Sequence, residues 1–172
     1  MNDIVENIEA LSAGNGLANG AVTTPKLQDG SVTGDKLASG AILLSAPALR
    51  TSSFPTTSTS PVQVPGLTKT VTVPTGGRDL EIEVYIPYID AVGLTSFEIS
   101  IWDGTVGSGT RLNLSGGTIN ANAYRLPAIC KAYPSASAGS KTYNVGFSSS
   151  AGNTCTIQSG ATAPAILTVK RV

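Results

Sequence analysis

Between Gly20 and Ile42 the chain states one decapeptide twice and begins it a third time. The first copy is Gly20-Ala21-Val22-Thr23-Thr24-Pro25-Lys26-Leu27-Gln28-Asp29 and the second Gly30-Ser31-Val32-Thr33-Gly34-Asp35-Lys36-Leu37-Ala38-Ser39; Gly40-Ala41-Ile42 opens the third. A short fixed period marks an array, and a unit of this size has no interior in which to hide its own apolar side chains. Val22, Leu27, Val32, Leu37 and Ile42 therefore need cover from another chain or another surface. The glycines and Pro25 rule out a long helix, and Thr and Val favour extended backbone. One decapeptide fully extended spans at most about 33–36 Å, so residues 15–46 make a short stem. The competing reading of this stretch is a flexible linker.

The joint spacing of Gly, Val, Thr and Lys-Leu over residues 19–42 resembles the decapeptide repeats of tail-fibre and head-fibre proteins of tailed bacteriophages. That resemblance implies an intertwined homotrimeric stem, with Val22, Leu27, Val32, Leu37 and Ile42 as its subunit contacts. The run from Ala163 to Lys170 also looks like the closing strand of small phage appendage domains. The implied partners are further copies of the chain, other virion proteins and, by analogy with such heads, a host cell-surface glycan. The implied location is the virion surface, after synthesis in the host bacterial cytoplasm.

Ahead of the repeats, residues 1–14 read as a short amphipathic helix that attaches the protein to the particle. Ile4, Ile8 and Leu11 recur at helical spacing, Asn2 or Asp3 can cap the start and Gly14 can end it. A helix this short is marginal alone in water, so it pairs, docks or stays unfolded. Residues 47–61, rich in Pro, Ser and Thr, read as a linker or a loosely attached first strand.

Residues 62–172 read as an all-β head. Leu80, Ile82, Val84 and Ile86 alternate with Asp79, Glu81, Glu83 and Tyr85, the pattern of a half-buried strand. Phe97, Ile99 and Ile101 alternate with Glu98, Ser100 and Trp102. Leu112 and Leu114 form a shorter piece, and Tyr143, Val145 and Phe147 another. Leu167 and Val169 complete the expected core. Turn signals such as Thr75-Gly76-Gly77 and Asp103-Gly104 separate the runs. Many short strands of this kind fit a two-sheet sandwich, jelly-roll-like first and immunoglobulin-like second.

The chemistry expected of such a chain is binding. It contains no histidine, which removes the commonest general base and metal ligand. No catalytic residue, cofactor or metal site is expected. Cys130 and Cys155 are single and read as buried thiols rather than a bridge. Asp29 and Asp35 sit in Gly-Asp turns, where turn formation accounts for them. Glu81 and Glu83 share one strand face at a spacing a glycosidase pair would tolerate, but any solvated strand face has that spacing. The aromatics Tyr85, Tyr88, Trp102, Tyr124 and Tyr133 can stack on sugars. Trp102 stands out because its parity puts it opposite Phe97, Ile99 and Ile101, as a ligand or subunit contact.

Net charge is zero, yet no Asp or Glu follows Asp103, while Arg111, Arg125, Lys131, Lys141, Lys170 and Arg171 all do. In a β domain these bases can meet Glu81, Glu83 and Glu98 across a sheet. They are too dispersed, with too few aromatics, for a nucleic-acid surface. No apolar run is long enough to span a membrane, and acids stand at the N-terminus where a secretory signal needs bases.

Overall fold

A computed structural model of the chain describes residues 46–119 and 125–172. The expected helix with Ile4, Ile8 and Leu11, and the repeats with Val22, Leu27, Val32, Leu37 and Ile42, lie outside the described residues.

The described residues are all-β. In chain order the strands are β1 Ala48–Arg50, β2 Phe54–Thr56, β3 Val62–Val73, β4 Arg78–Ala91, β5 Thr95–Asp103, β6 Thr110–Ile119, β7 Leu126–Ala132, β8 Ser135–Ala136, β9 Gly139–Ser149, β10 Cys155–Gln158 and β11 Ala165–Arg171. They form two sheets, paired antiparallel throughout. In sheet I, β4 is flanked on one side by β7 and β8. On its other side lie β11 and β10, themselves covered by β1 and β2. Sheet II has the order β3-β9-β5-β6. Three pairs of short strands, β1 with β2, β7 with β8 and β10 with β11, are each one strand position interrupted. Counted by position, sheet I reads 1-8-3-6 and sheet II 2-7-4-5, the winding of a jelly roll.

Alternation drives this arrangement. Leu80, Ile82, Val84 and Ile86 turn inward from sheet I, and Phe97, Ile99, Ile101, Tyr143, Val145 and Phe147 meet them from sheet II. These residues, together with Leu167 and Val169, are all buried, as expected from the sequence. Burying an aliphatic or aromatic side chain of this kind stabilises by roughly 1.5–3 kcal/mol. Cys130 and Cys155 are both buried and free.

Two segments differ from the sequence reading. Residues 47–61 carry the first strand position, the strand alternative of the two the sequence left open, and not a linker ahead of a head that begins at residue 62. Ala48 to Arg50 pair with Leu167 to Ala165, and Phe54 to Thr56 pair with Ile157 to Cys155. Phe54 packs on the core, its ring centroid 6.5 Å from that of Phe147. The sandwich therefore starts near Ala48, not at residue 62. On β6, the alternation that would put Leu112 and Leu114 on one face is broken. The register against β5 shifts between Ile101 and Trp102, so Leu112 packs on the core while Leu114 is exposed.

Candidate binding surface

Sheet II carries Trp102 on its outer face, as strand parity requires, but the side chain is only 8% exposed. The connection from β5 to β6 is fastened over it. Gly104 N–H donates to Thr142 O at 2.8 Å, and Asn144 Nδ2 donates to Gly104 O at 2.8 Å. The indole N–H donates to Ser100 Oγ at 2.8 Å, and the Arg111 guanidinium stands 5.9 Å from the ring centroid. Gly146 makes the fit possible, since a Cβ there would fall 2.7 Å from Ser100 Oγ, 2.9 Å from Trp102 Nε1 and 3.0 Å from Val106 Cγ1. Trp102 is thus occupied by its own domain and offers little surface to a ligand or a neighbouring subunit.

The exposed aromatics lie on sheet I instead. Tyr85 and Tyr88 both project from the outer face of β4, at 37% and 44% exposure. Strict alternation would send residues three apart to opposite faces. The register of β4 against β7 shifts between Ile86 and Ile89, and this bulge restores Tyr88 to the outer side. Tyr85 is flanked in register by Ile166 on β11 and Ile129 on β7, and Leu49 on β1 extends the row beyond Ile166. Tyr88 pairs with Gln158 of β10. Tyr133, 65% exposed, follows Ala132 at the foot of β7.

Beside this row the charges are paired. Lys131 Nζ lies 2.6 Å from Glu83 Oε2 and 3.1 Å from Glu81 Oε1, and Lys170 Nζ lies 3.9 Å from Glu81 Oε1. Arg125 Nε meets Asp90 Oδ1 at 3.3 Å. Of the bases in the second half of the chain, Lys131 and Lys170 thus meet Glu81 and Glu83 across the sheet as expected, Arg125 meets Asp90 instead, and Arg111 stands over Trp102. The hydrogen bond from Lys131 holds the Glu81 carboxyl below its usual range. Both carboxylates are thus engaged with one ammonium, that of Lys131.

No three His, Cys, Asp or Glu side chains gather into a metal-binding group among the described residues. Burial pushes the Cys130 thiol up to about 11. It raises Cys155 as well, against hydrogen bonds with Ser149 and Thr95 that lower it. Both are therefore protonated and poor nucleophiles at neutral pH. A groove of about 520 Å³ runs between the open edges of β6 and β7, past Leu114, Ile129 and Tyr133, and Asn113 Nδ2 crosses it to Lys131 O. A second hollow of about 700 Å³ lies at the end of the sandwich by Gly77, Ser135 and Val172.

No family model matches the chain, and no curated protein matches it. Among solved structures it is similar to a CBM4 structure, at a TM-score of 0.35 and 10% identity over 61% of this chain and 59% of the other. It is also similar to the enzymatically active domain of tailspike protein 4 of bacteriophage CBA120, at a TM-score of 0.27 and 14% identity. That match covers 65% of this chain and 15% of the other.

Of the aromatics weighed from the sequence, Tyr85 and Tyr88 thus share the outer face of sheet I, Tyr133 lines the groove at its β7 edge, and Trp102 belongs to sheet II. Tyr124 lies outside the described residues. The signal for Tyr85 is its parity with Glu81 and Glu83; for Tyr88 it is Pro87, which an interior strand accommodates at a bulge.

Proposed function

We propose that this is a virion structural protein of a tailed bacteriophage, a short homotrimeric fibre or spike. In this reading residues 1–14 attach it through Ile4, Ile8 and Leu11, and the decapeptides form the stem. The sandwich from Ala48 onward is its head, placed on the virion surface, with no catalytic step. The observation that carries the reading is the decapeptide repeat, whose apolar positions lack cover within their own unit, ahead of a separately cored β-sandwich. Sedimentation equilibrium of the full chain tests it, with three times 17.4 kDa expected. A clean monomer at micromolar concentration overturns it. Changing Val22, Val32 and Ile42 to Asp should dissociate the trimer, since a buried unpaired charge is costly. Removing residues 1–14 should leave a trimer that no longer enters particles.

A second reading, a tip that recognises a host cell-surface glycan, is supported by the grouping of exposed tyrosines on sheet I. Adsorption of the labelled protein to host cells, competed by their purified surface polysaccharide, is the measurement that tests it.

A further inference from the structure

We infer that the outer face of sheet I and the groove at its β7 edge form a track for internal segments of an uncharged polysaccharide, with Tyr85, Tyr88 and Tyr133 as its stacking platforms. The inference rests on the glycan-binding reading above and gives that reading a location and a ligand class.

The distribution of aromatic rings comes first. Among the described residues, the exposed tyrosines are Tyr85, Tyr88 and Tyr133; Tyr85 and Tyr88 stand on the outer face of sheet I, and Tyr133 lines the groove at its β7 edge together with Ile129, the register neighbour of Tyr85. The outer face of sheet II has its one aromatic, Trp102, covered. An exposed ring offers an apolar face with a polar edge, which suits the C–H face of a pyranose. Position comes second. Tyr88 and Tyr85 stand in line on β4, and Tyr133 follows the residue paired with Ile82. From the level of Tyr88 to that of Ile82 is roughly 20 Å at the usual rise of a strand. Platforms spread over that length meet several consecutive sugar rings, whereas recognition of a chain end needs one enclosing pocket.

Charge then selects the polymer. Lys131 is held by Glu81 and Glu83, and Arg125 by Asp90. With Lys170 also beside Glu81, charges of both signs alternate on this face, so it presents no field of one sign to attract a polyanion or a polycation. The same charged groups, with Gln158 beside Tyr88, supply donors and acceptors for sugar hydroxyls.

The test uses the full-length protein and isothermal titration with cello-, malto-, xylo- and N-acetylchito-oligosaccharides from disaccharide to hexasaccharide, and polygalacturonate as the charged control. At least one neutral series should bind with affinity that rises with chain length, and polygalacturonate should bind more weakly. Tyr85→Ala with Tyr88→Ala should lose about tenfold or more. Tyr85→Phe with Tyr88→Phe keeps the rings and should stay close to the parent protein. The track is overturned if no neutral series binds, if polygalacturonate is preferred, or if the alanine pair binds like the parent. It is equally overturned if the phenylalanine pair loses as much as the alanine pair. A shift of the alanine pair from trimer to monomer in sedimentation would make the face a subunit contact and overturn it too. Adsorption to host cells that survives the alanine pair would sink the track and leave glycan recognition standing elsewhere on the protein.

Discussion

The indole N–H of Trp102 donates to the Ser100 hydroxyl at 2.8 Å, and both residues are buried although they lie on the outward side of their sheet. Arg111 is the part of the cover that reaches solvent. Replacing it with Ala should uncover one face of Trp102 and red-shift its fluorescence, with greater quenching by iodide. Stability should change by no more than about 1 kcal/mol, because a cation over an aromatic ring at such a site contributes about that much. An unchanged spectrum would mean that the β5–β6 connection alone shields the ring.

The N-terminal limit of the folded unit can be read by truncation. A fragment of residues 46–172 keeps β1 and β2 and should melt cooperatively. A fragment of residues 62–172 loses both, uncovers Phe147 and leaves β10 and β11 as open edges. It should aggregate or melt well below the longer fragment. Equal, cooperative melting of the two would show that β1 and β2 contribute nothing.

Tyr143 is fully buried, and its hydroxyl has no hydrogen-bond partner among the described residues. An unsatisfied buried hydroxyl costs about 1–3 kcal/mol, so Tyr143→Phe should be neutral or stabilising by up to that amount. Burial, aided by the charge of Asp103, pushes the phenol up to about 12. The unfolded phenol ionises near its ordinary 10.0, so the native state loses stability as pH rises between these values. The phenylalanine variant should show a flatter alkaline limb in thermal melts across that window. A variant markedly less stable than the parent at neutral pH would reveal a partner for the hydroxyl.

The Glu81–Lys131–Glu83 cluster should register at low pH. Glu81 is held below its ordinary 4.5, chiefly by the hydrogen bond from Lys131. Its contribution is complete above that ordinary value and is lost as pH falls through the lowered one. Lys131 is shifted the other way, first by Glu83, so its contribution persists until strongly alkaline pH. Lys131→Met should flatten the acid limb of stability and reduce the effect of salt on it. Parallel acid limbs for parent and variant would show that the carboxylates are held by something else.

The alternation from Leu80 to Ile86 and from Phe97 to Ile101 was enough to read the two central strands and their buried faces, because each of those stretches keeps its period of two. Leu112 and Leu114 depart from the pattern at a bulge that only the neighbouring strand reveals, whereas the bulge before Tyr88 has its mark in the sequence, Pro87. Residues 47–61 look like a linker because Pro, Ser and Thr dominate them, yet β10 and β11 supply the edges that make them strands. Strand parity puts Trp102 on the outward side of β5, where the structure has it. Its cover comes from Arg111 and the connection ahead of it, a tertiary fact with no period in the sequence.

β11 lies in the interior of sheet I, between β1 and β4, and β10 lies between β2 and β4. While residues 155–171 are still inside the ribosome, β4 lacks a neighbour on that side and β1 and β2 have none in the sheet. Pairings between distant parts of a chain are also the slow ones to form. Every strand of sheet II precedes residue 155, whereas sheet I closes only when β10 and β11 slot between strands made long before them. The winding thus makes the last two strands the clasp that joins the first strand position to the middle of its sheet.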